Sequence, residues 1–230
     1  MPSTDRTWQF GTASRVIIGV AAGFMYGFAV LLLCLPLISG VSDPIANTIL
    51  AVTGAILVCF GLFVTFGYIA MARTRISVSA TALDATVPSG HNGLLVPRFR
   101  TISLPLARIH SVERRQEAFR SFGLVNMRDS LSVVTDDGER IGIFSNTSGP
   151  SSTLPLGEIA DAIAAGAGTS VTDGGTVWTK APGLYGTAAS TWTEARLDDP
   201  SAVKARRMAA RTMQVFLVLF LLVVVVRACS

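Results

Sequence analysis

The chain has 230 residues, 50% hydrophobic and 15% charged, with a mean hydropathy of +0.52 and a formal net charge of +4. Soluble domains carry roughly 25% charged residues, so composition argues against a wholly water-soluble globule. The nineteen basic residues are seventeen Arg and two Lys, and several flank apolar blocks. Membrane topology accounts for that placement before nucleic acid does, and no nucleic-acid partner is expected.

Residues 1–15 read as a polar tail carrying Arg6 and Arg15. The first apolar block, Val16 to Ser39, has 24 residues without a charge. A helix of that length covers roughly 36 Å, more than a hydrocarbon core of about 30 Å. It is too long for the apolar core of a signal peptide, so it reads as an anchor. Gly19, Gly23 and Gly27 recur at four-residue spacing along it, which is expected to line one face for close helix packing. The second block runs from about Ile45 to Ala72 behind Ser42, Asp43 and Pro44, a capping signal followed by proline at the first turn. Residues 16–72 are therefore expected to form a transmembrane helical hairpin.

The loop between the two blocks has no Lys or Arg, whereas Arg6 and Arg15 precede the first and Arg73 and Arg75 follow the second. By the positive-inside rule both outer ends are cytoplasmic. Neither block contains an ionisable His, Asp, Glu, Lys or Arg that an intramembrane proton relay or haem site would need. Cys34 and Cys59 fall inside the blocks and read as small helix-facing or lipid-facing residues.

From Arg75 to about Ser145 short runs of β-forming residues alternate between turn signals. Strands are expected at Ile76–Ser79, Leu83–Val87, Leu94–Leu104, Arg108–Val112, Leu131–Thr135 and Arg140–Phe144. Ser89 to Gly93, with His91, makes one turn, and Asp136, Asp137 and Gly138 make a hairpin. The period then changes: Leu156, Ile159, Ala160 and Ile163 recur at helical spacing after the candidate caps Ser151 to Thr153. The expected fold class is a membrane α-helical anchor plus an α+β domain of antiparallel strands closed by one C-terminal helix. That helix should bury Leu156, Ile159 and Ile163 against Ile109, Val133 and Ile141.

Three stretches carry a family likeness: Arg75-Ile76-Ser77-Val78-Ser79, Ser103 to Glu113 (SLPLARIHSVE), and Val133-Val134-Thr135-Asp136-Asp137-Gly138 ahead of the closing helix. Residues 73–168 thereby resemble the bacterial pleckstrin-homology-like domains of membrane-anchored proteins. The resemblance implies a small seven-stranded barrel or sheet with a capping helix, the bacterial inner membrane, and a role in protein docking, scaffolding or membrane-surface binding. A photosynthetic-complex assembly factor looks like the same domain type. The resemblance thus also implies an alternative role as accessory or assembly subunit of a larger respiratory or photosynthetic complex.

Arg98, Arg100, Arg114, Arg115 and Arg120 are the candidate lipid-binding or partner-binding residues, as a basic surface near the anionic leaflet where each charge contributes about 1 kcal/mol. The competing reading is a solvated face neutralised by Glu113, Glu117 and Asp129. His91 and His110 have no second ligand at metal spacing, no phosphate loop ends in Gly-Lys-Ser/Thr, and no serine sits in a nucleophile elbow. No enzymatic activity, metal or cofactor is expected. The expected partners are membrane lipids and a protein partner or second copy.

Residues 169–199 read as a flexible linker with Trp178, Tyr185 and Trp192 as aromatic anchors, for the interface, the sheet or another protein. Asp199 and Pro200 start one helix over Ser201 to Val226, within a segment 200–230, whose stem carries Lys204, Arg206, Arg207 and Arg211, membrane-flanking residues like Arg73 and Arg75. Its apolar part, Met213 to Val226, is short at 14 residues, and snorkelling arginines extend its reach to a third span. The C-terminus is then periplasmic. On that topology Cys229 reacts with an impermeant thiol reagent on right-side-out vesicles, while Cys34 and Cys59 stay protected. Labelling of Cys229 only after inversion overturns the three-span expectation.

Overall fold

The computed structural model describes residues 5–40, 43–89, 98–121, 124–147, 154–179, 195–211 and 214. The turn around His91, the caps Ser151 to Thr153, Tyr185, Trp192, Cys229 and all but Gln214 of the third apolar block lie outside the described residues.

Two long helices, α1 (Thr12–Ser39) and α2 (Pro44–Arg73), form an antiparallel hairpin. Both are long and apolar enough to cross a membrane. Gly40 ends α1 in the left-handed conformation at φ 65°, which a side chain would strain. Asp43 caps α2 by accepting from the Ile45 amide at 2.9 Å, with Pro44 at the first helical position. Among the described residues every exposed large hydrophobic side chain except Val203 lies on α1 or α2. An exposed apolar surface of that extent marks a membrane or protein contact face.

The seam between the helices is built from small residues, though not the expected ones. Ala22 and Ala29 are buried on α1, and Gly54 and Gly61 on α2. A Cβ at Gly54 would stand 2.8 Å from Leu33 Cγ, and one at Gly61 2.9 Å from Tyr26 Cε1. The Thr65 hydroxyl donates to the Gly61 carbonyl at 2.8 Å, so the Tyr26 hydroxyl, 3.2 Å away, donates to Thr65. Gly19 faces Tyr68 with room for a methyl group, while Gly23 and Gly27 are exposed with nothing within 4 Å of a Cβ. Four-residue spacing drifts around a 3.6-residue helix, so the three glycines do not share the contact that the seven-residue pairs Ala22/Ala29 and Gly54/Gly61 make.

The strands fall into two four-stranded sheets. The first has the order β1 (Arg6–Gln9), β2 (Arg75–Val78), β3 (Ala82–Ser89), β4 (Arg98–Pro105), all antiparallel. The second has the order β7 (Arg140–Thr147), β6 (Leu124–Thr135), β5 (Ile109–Ser121), β8 (Val171–Trp178), with β8 parallel to β5. A single 3-10 turn, Leu106–Arg108, joins them. Helix α3 (Leu156–Ala167) closes one core with both sheets, in which Ile76, Val78, Leu83 and Leu104 meet Ile109, Val112, Leu131 and Val133. Leu156, Ile159 and Ile163 enter that core beside Ile109 and Val133, with Ile141 packed against it, as their spacing predicts. A fully buried Ile159 or Ile163 is worth about 1.5–3 kcal/mol each.

Three features extend the layout expected from sequence. Residues Arg6–Gln9, read as tail, form β1 and pair with β2. Residues Val171–Trp178, read as linker, form β8 on the far edge of β5. The strands β5 and β6 run for 13 and 12 residues through charged sequence. Beyond them residues 199–211 are helical, with Ala202 and Ala205 buried. From the seam, Gly61→Leu is expected to destabilise the hairpin by about 1–3 kcal/mol through overpacking against Tyr26. Gly23→Leu should leave it unchanged. Unfolding of detergent-solubilised protein by added SDS checks both.

Candidate functional site

Among the described residues, the arginines paired with carboxylates are Arg108 on the turn joining the sheets and Arg115, Arg128 and Arg140 on the second sheet. On β5 alternate residues point to opposite faces. Glu113, Arg115, Glu117 and Phe119 share one face, and across on β6 the register places Ser132, Ser130 and Arg128 beside the first three. Glu117 is wholly buried between two guanidinium groups: Arg115 Nε donates to Oε1 at 2.9 Å, and Arg128 Nε donates to Oε2 at 2.5 Å. The side chains of all three are 3% exposed or less. Nearer the core Arg140 grips Glu113 through two hydrogen bonds, of 2.8 and 3.1 Å. At the β6–β7 turn Arg108 pairs with Asp137 at 2.9 Å. The Thr135 hydroxyl, donating to the Asp137 carboxylate, is the main cause that holds that group below its ordinary value.

The opposite face of β5 carries Arg114, Gln116 and Arg120. Gln116 accepts from Arg206 Nε at 3.0 Å, and Arg206 also donates to the Thr176 hydroxyl at 3.3 Å, which ties the helix at 199–211 to this sheet. A cavity of about 290 Å³ opens there, lined among others by Arg114, Arg115, Gln116, Asp129, Asp173 and Arg206. Three of these are arginines and two are aspartates, and Arg115 is already engaged by Glu117. Arg120 stands over the Trp178 ring at 5.7 Å, a contact that uses one of the linker aromatics on the sheet.

The first sheet is different, because it has almost no acid to offer. From Arg6 to Val112 the sequence holds seven arginines and only two carboxylates, Asp43 and Asp84. Asp43 caps the far end of the helical hairpin, and Asp84 accepts from the Ser103 hydroxyl at 2.7 Å on the mid-sheet. The end of the sheet that meets the helices is consequently basic and unneutralised. The register defines this foot: Gln9 lies beside Arg75, Arg75 beside Thr86, and Thr86 beside Thr101, while β3 and β4 continue three residues further to Ser89 and Arg98. Three residues of strand span about 10 Å, so the β3–β4 ladder descends alongside the last turn of α2. The Arg73 guanidinium accordingly sits over the Phe99 ring at 5.5 Å.

Arg73, Arg75 and Arg98 are exposed at the foot. Arg100 is half-buried and donates through Nη2 to the Gly142 carbonyl of the opposite sheet. Burial without a neighbouring carboxylate lowers its guanidinium below the ordinary arginine value. One turn into α1, Arg15 has its Nε buried and without a hydrogen-bond partner.

The five basic residues expected to share a surface are thus distributed over several. Arg98 and Arg100 are at the foot, Arg114 and Arg115 both line the cavity with Arg115 locked to Glu117, and Arg120 lies near the strand end over Trp178. Strand alternation puts Arg115, and not the adjoining Arg114, on the face of Glu117. Of the flanking residues, Arg73 and Arg75 join the foot, Arg206 is bound to the second sheet, and Lys204, Arg207 and Arg211 are exposed on the helix at 199–211. The Glu117 triad was legible only as a charge run, since its face is set by register.

No family model, curated protein or solved structure matches this chain. The triad itself carries a prediction. Glu117→Gln removes the one charge held between Arg115 and Arg128, and breaking a buried pair costs about 3–5 kcal/mol. Glu113→Gln, at a partly exposed pair, should cost about 1 kcal/mol or less. Urea unfolding in detergent, followed by tryptophan fluorescence, measures the two side by side.

Proposed function

We propose that the protein is a non-enzymatic membrane-anchored docking module whose β-domain is held at the cytoplasmic surface of a bacterial inner membrane. The observation that carries this reading is the β1–β2 pairing. One strand leads into α1 and the other leaves α2, with Thr74 alone between the end of α2 and β2. Both feet of the apolar hairpin enter one sheet, so the domain has no linker on which to swing. A domain fixed in this way suits the presentation of one surface to a neighbour in the membrane, either a protein partner or a second copy. The cytoplasmic assignment rests on the basic residues at the foot and on the absence of Lys and Arg from the short loop between the helices. The pleckstrin-homology-like reading of residues 73–168 rests on the sequence patterns that suggested it. A third span after residue 211 completes the proposed topology.

The test has two steps. Membranes containing the full chain are washed with alkaline carbonate, and the chain is expected to stay with the bilayer; its release overturns the anchor. Extraction in mild detergent and native-gel migration should then give a small species without a bound chromophore. A large, cofactor-bearing species would instead identify an accessory or assembly subunit of a bigger complex.

A further inference from the structure

We infer that the foot of the β-domain is a binding site for the phosphodiester groups of anionic phospholipids, with Arg73, Arg75 and Arg98 as its main contacts and Arg15 behind them. The inference rests on the membrane-anchored reading above and adds the ligand to it.

Four observations converge on this ligand. First, the foot holds cations without counter-charges: Asp84, the one carboxylate between Pro44 and Val112, is bonded to Ser103 further up the sheet. Elsewhere Arg108, Arg115, Arg128 and Arg140 have protein carboxylates as partners. Exposed cations clustered without acid repel one another unless an external anion lies among them. Second, the position is set by covalent and register constraints. Arg73 is the last residue of α2 and Arg75 the first of β2, so both lie where the apolar helix ends. The β3–β4 ladder runs three residues past Thr86 and Thr101 and carries Arg98 to the same end of the sheet, on the face opposite the Phe99 ring that Arg73 covers. This is the depth of the headgroup layer. Third, the Arg15 Nε is a shielded donor with no acceptor, and a buried polar group without a partner is costly. Fourth, arginine rather than lysine supplies every one of these cations, and its planar fork matches two phosphate oxygens at once.

Full-length protein in neutral detergent is titrated with phosphatidylglycerol, phosphatidylcholine or inorganic phosphate, and bound lipid is read by native mass spectrometry. Phosphatidylglycerol should be retained at about tenfold lower concentration than phosphatidylcholine, a difference of about 1.4 kcal/mol. The preference should collapse near 1 M salt, where the Debye length is about 3 Å. The variant R73Q/R75Q/R98Q, altered only at exposed positions, should lose it. R73K/R75K/R98K should keep most of it, and Arg108→Gln, at an exposed pair on the turn that joins the two sheets, all of it. Equal retention of the two lipids by the native chain, or an unchanged preference in R73Q/R75Q/R98Q, overturns the inference. Displacement of phosphatidylglycerol by millimolar inorganic phosphate would assign the site to a free anion and overturn the lipid as its ligand. A chain released by carbonate refutes the anchor itself. A chain that stays in the bilayer but shows no anionic preference refutes only the headgroup site.

Discussion

The backbone hydrogen bonds between β1 and β2 are the constraint on which the remaining arrangement depends. Four residues ahead of the first apolar helix pair with four residues behind the second. The amide groups of β1 would otherwise be spent on water, and β2 would be left as the raw edge of the sheet. Because the pairing uses both ends of one helical hairpin, the hairpin and the sheet become a single folding problem. Closing the loop of 65 residues between Gln9 and Arg75 costs entropy that grows only slowly with length, and the helix–helix seam repays it. The seam requires Gly54 and Gly61, where any side chain would collide with Leu33 or Tyr26.

In the second sheet the constraint is register. The strands β5 and β6 carry charged residues through stretches that are covered on both faces, with Ala118 and Met127 buried on one and Glu117 and Arg128 on the other. A buried ion triad yields little net stability over an apolar cluster of equal volume. It does penalise error, because a slip of one residue would move Glu117 to the face of Ala118 and Met127 and strand it without a guanidinium. The triad therefore pins the longest hairpin of the domain at the point where the hydrophobic pattern no longer specifies it. The parallel strand β8 then completes the free edge of β5, and Arg206 ties the following helix to the same sheet.

The charge of the protein is consequently uneven. Acidic residues concentrate after Val112, where Glu113 and Glu117 engage arginines of the second sheet, whereas the first sheet and the helices form a stretch of arginines almost without acid. Among the described residues, exposed cations without a carboxylate partner include Arg73, Arg75 and Arg98 at the foot, and also Arg120 on β5 and Lys204, Arg207 and Arg211 on the helix that follows β8.

By itself the sequence determined the two apolar helices, the hairpin cap at Asp43 and Pro44, the β-rich middle, the Asp136–Gly138 turn and the core face of α3. Each is a local or periodic signal that needs only its own neighbours to be read. Tertiary structure alone decided what depends on distant pairing. Arg6–Gln9 is too short and polar to declare itself a strand until β2 offers it an edge, and Val171–Trp178, with two adjacent glycines, becomes a strand only against β5. Gly19, Gly23 and Gly27 advertise a packing face, yet the hairpin closes on Gly54 and Gly61, because the angular position of a contact depends on both helices. The same holds for the arginines. Their number was legible, but whether each meets a carboxylate, a ring or open solvent follows from strand alternation and register, which put Arg114 and Arg115 on opposite faces and brought Arg73 to Phe99.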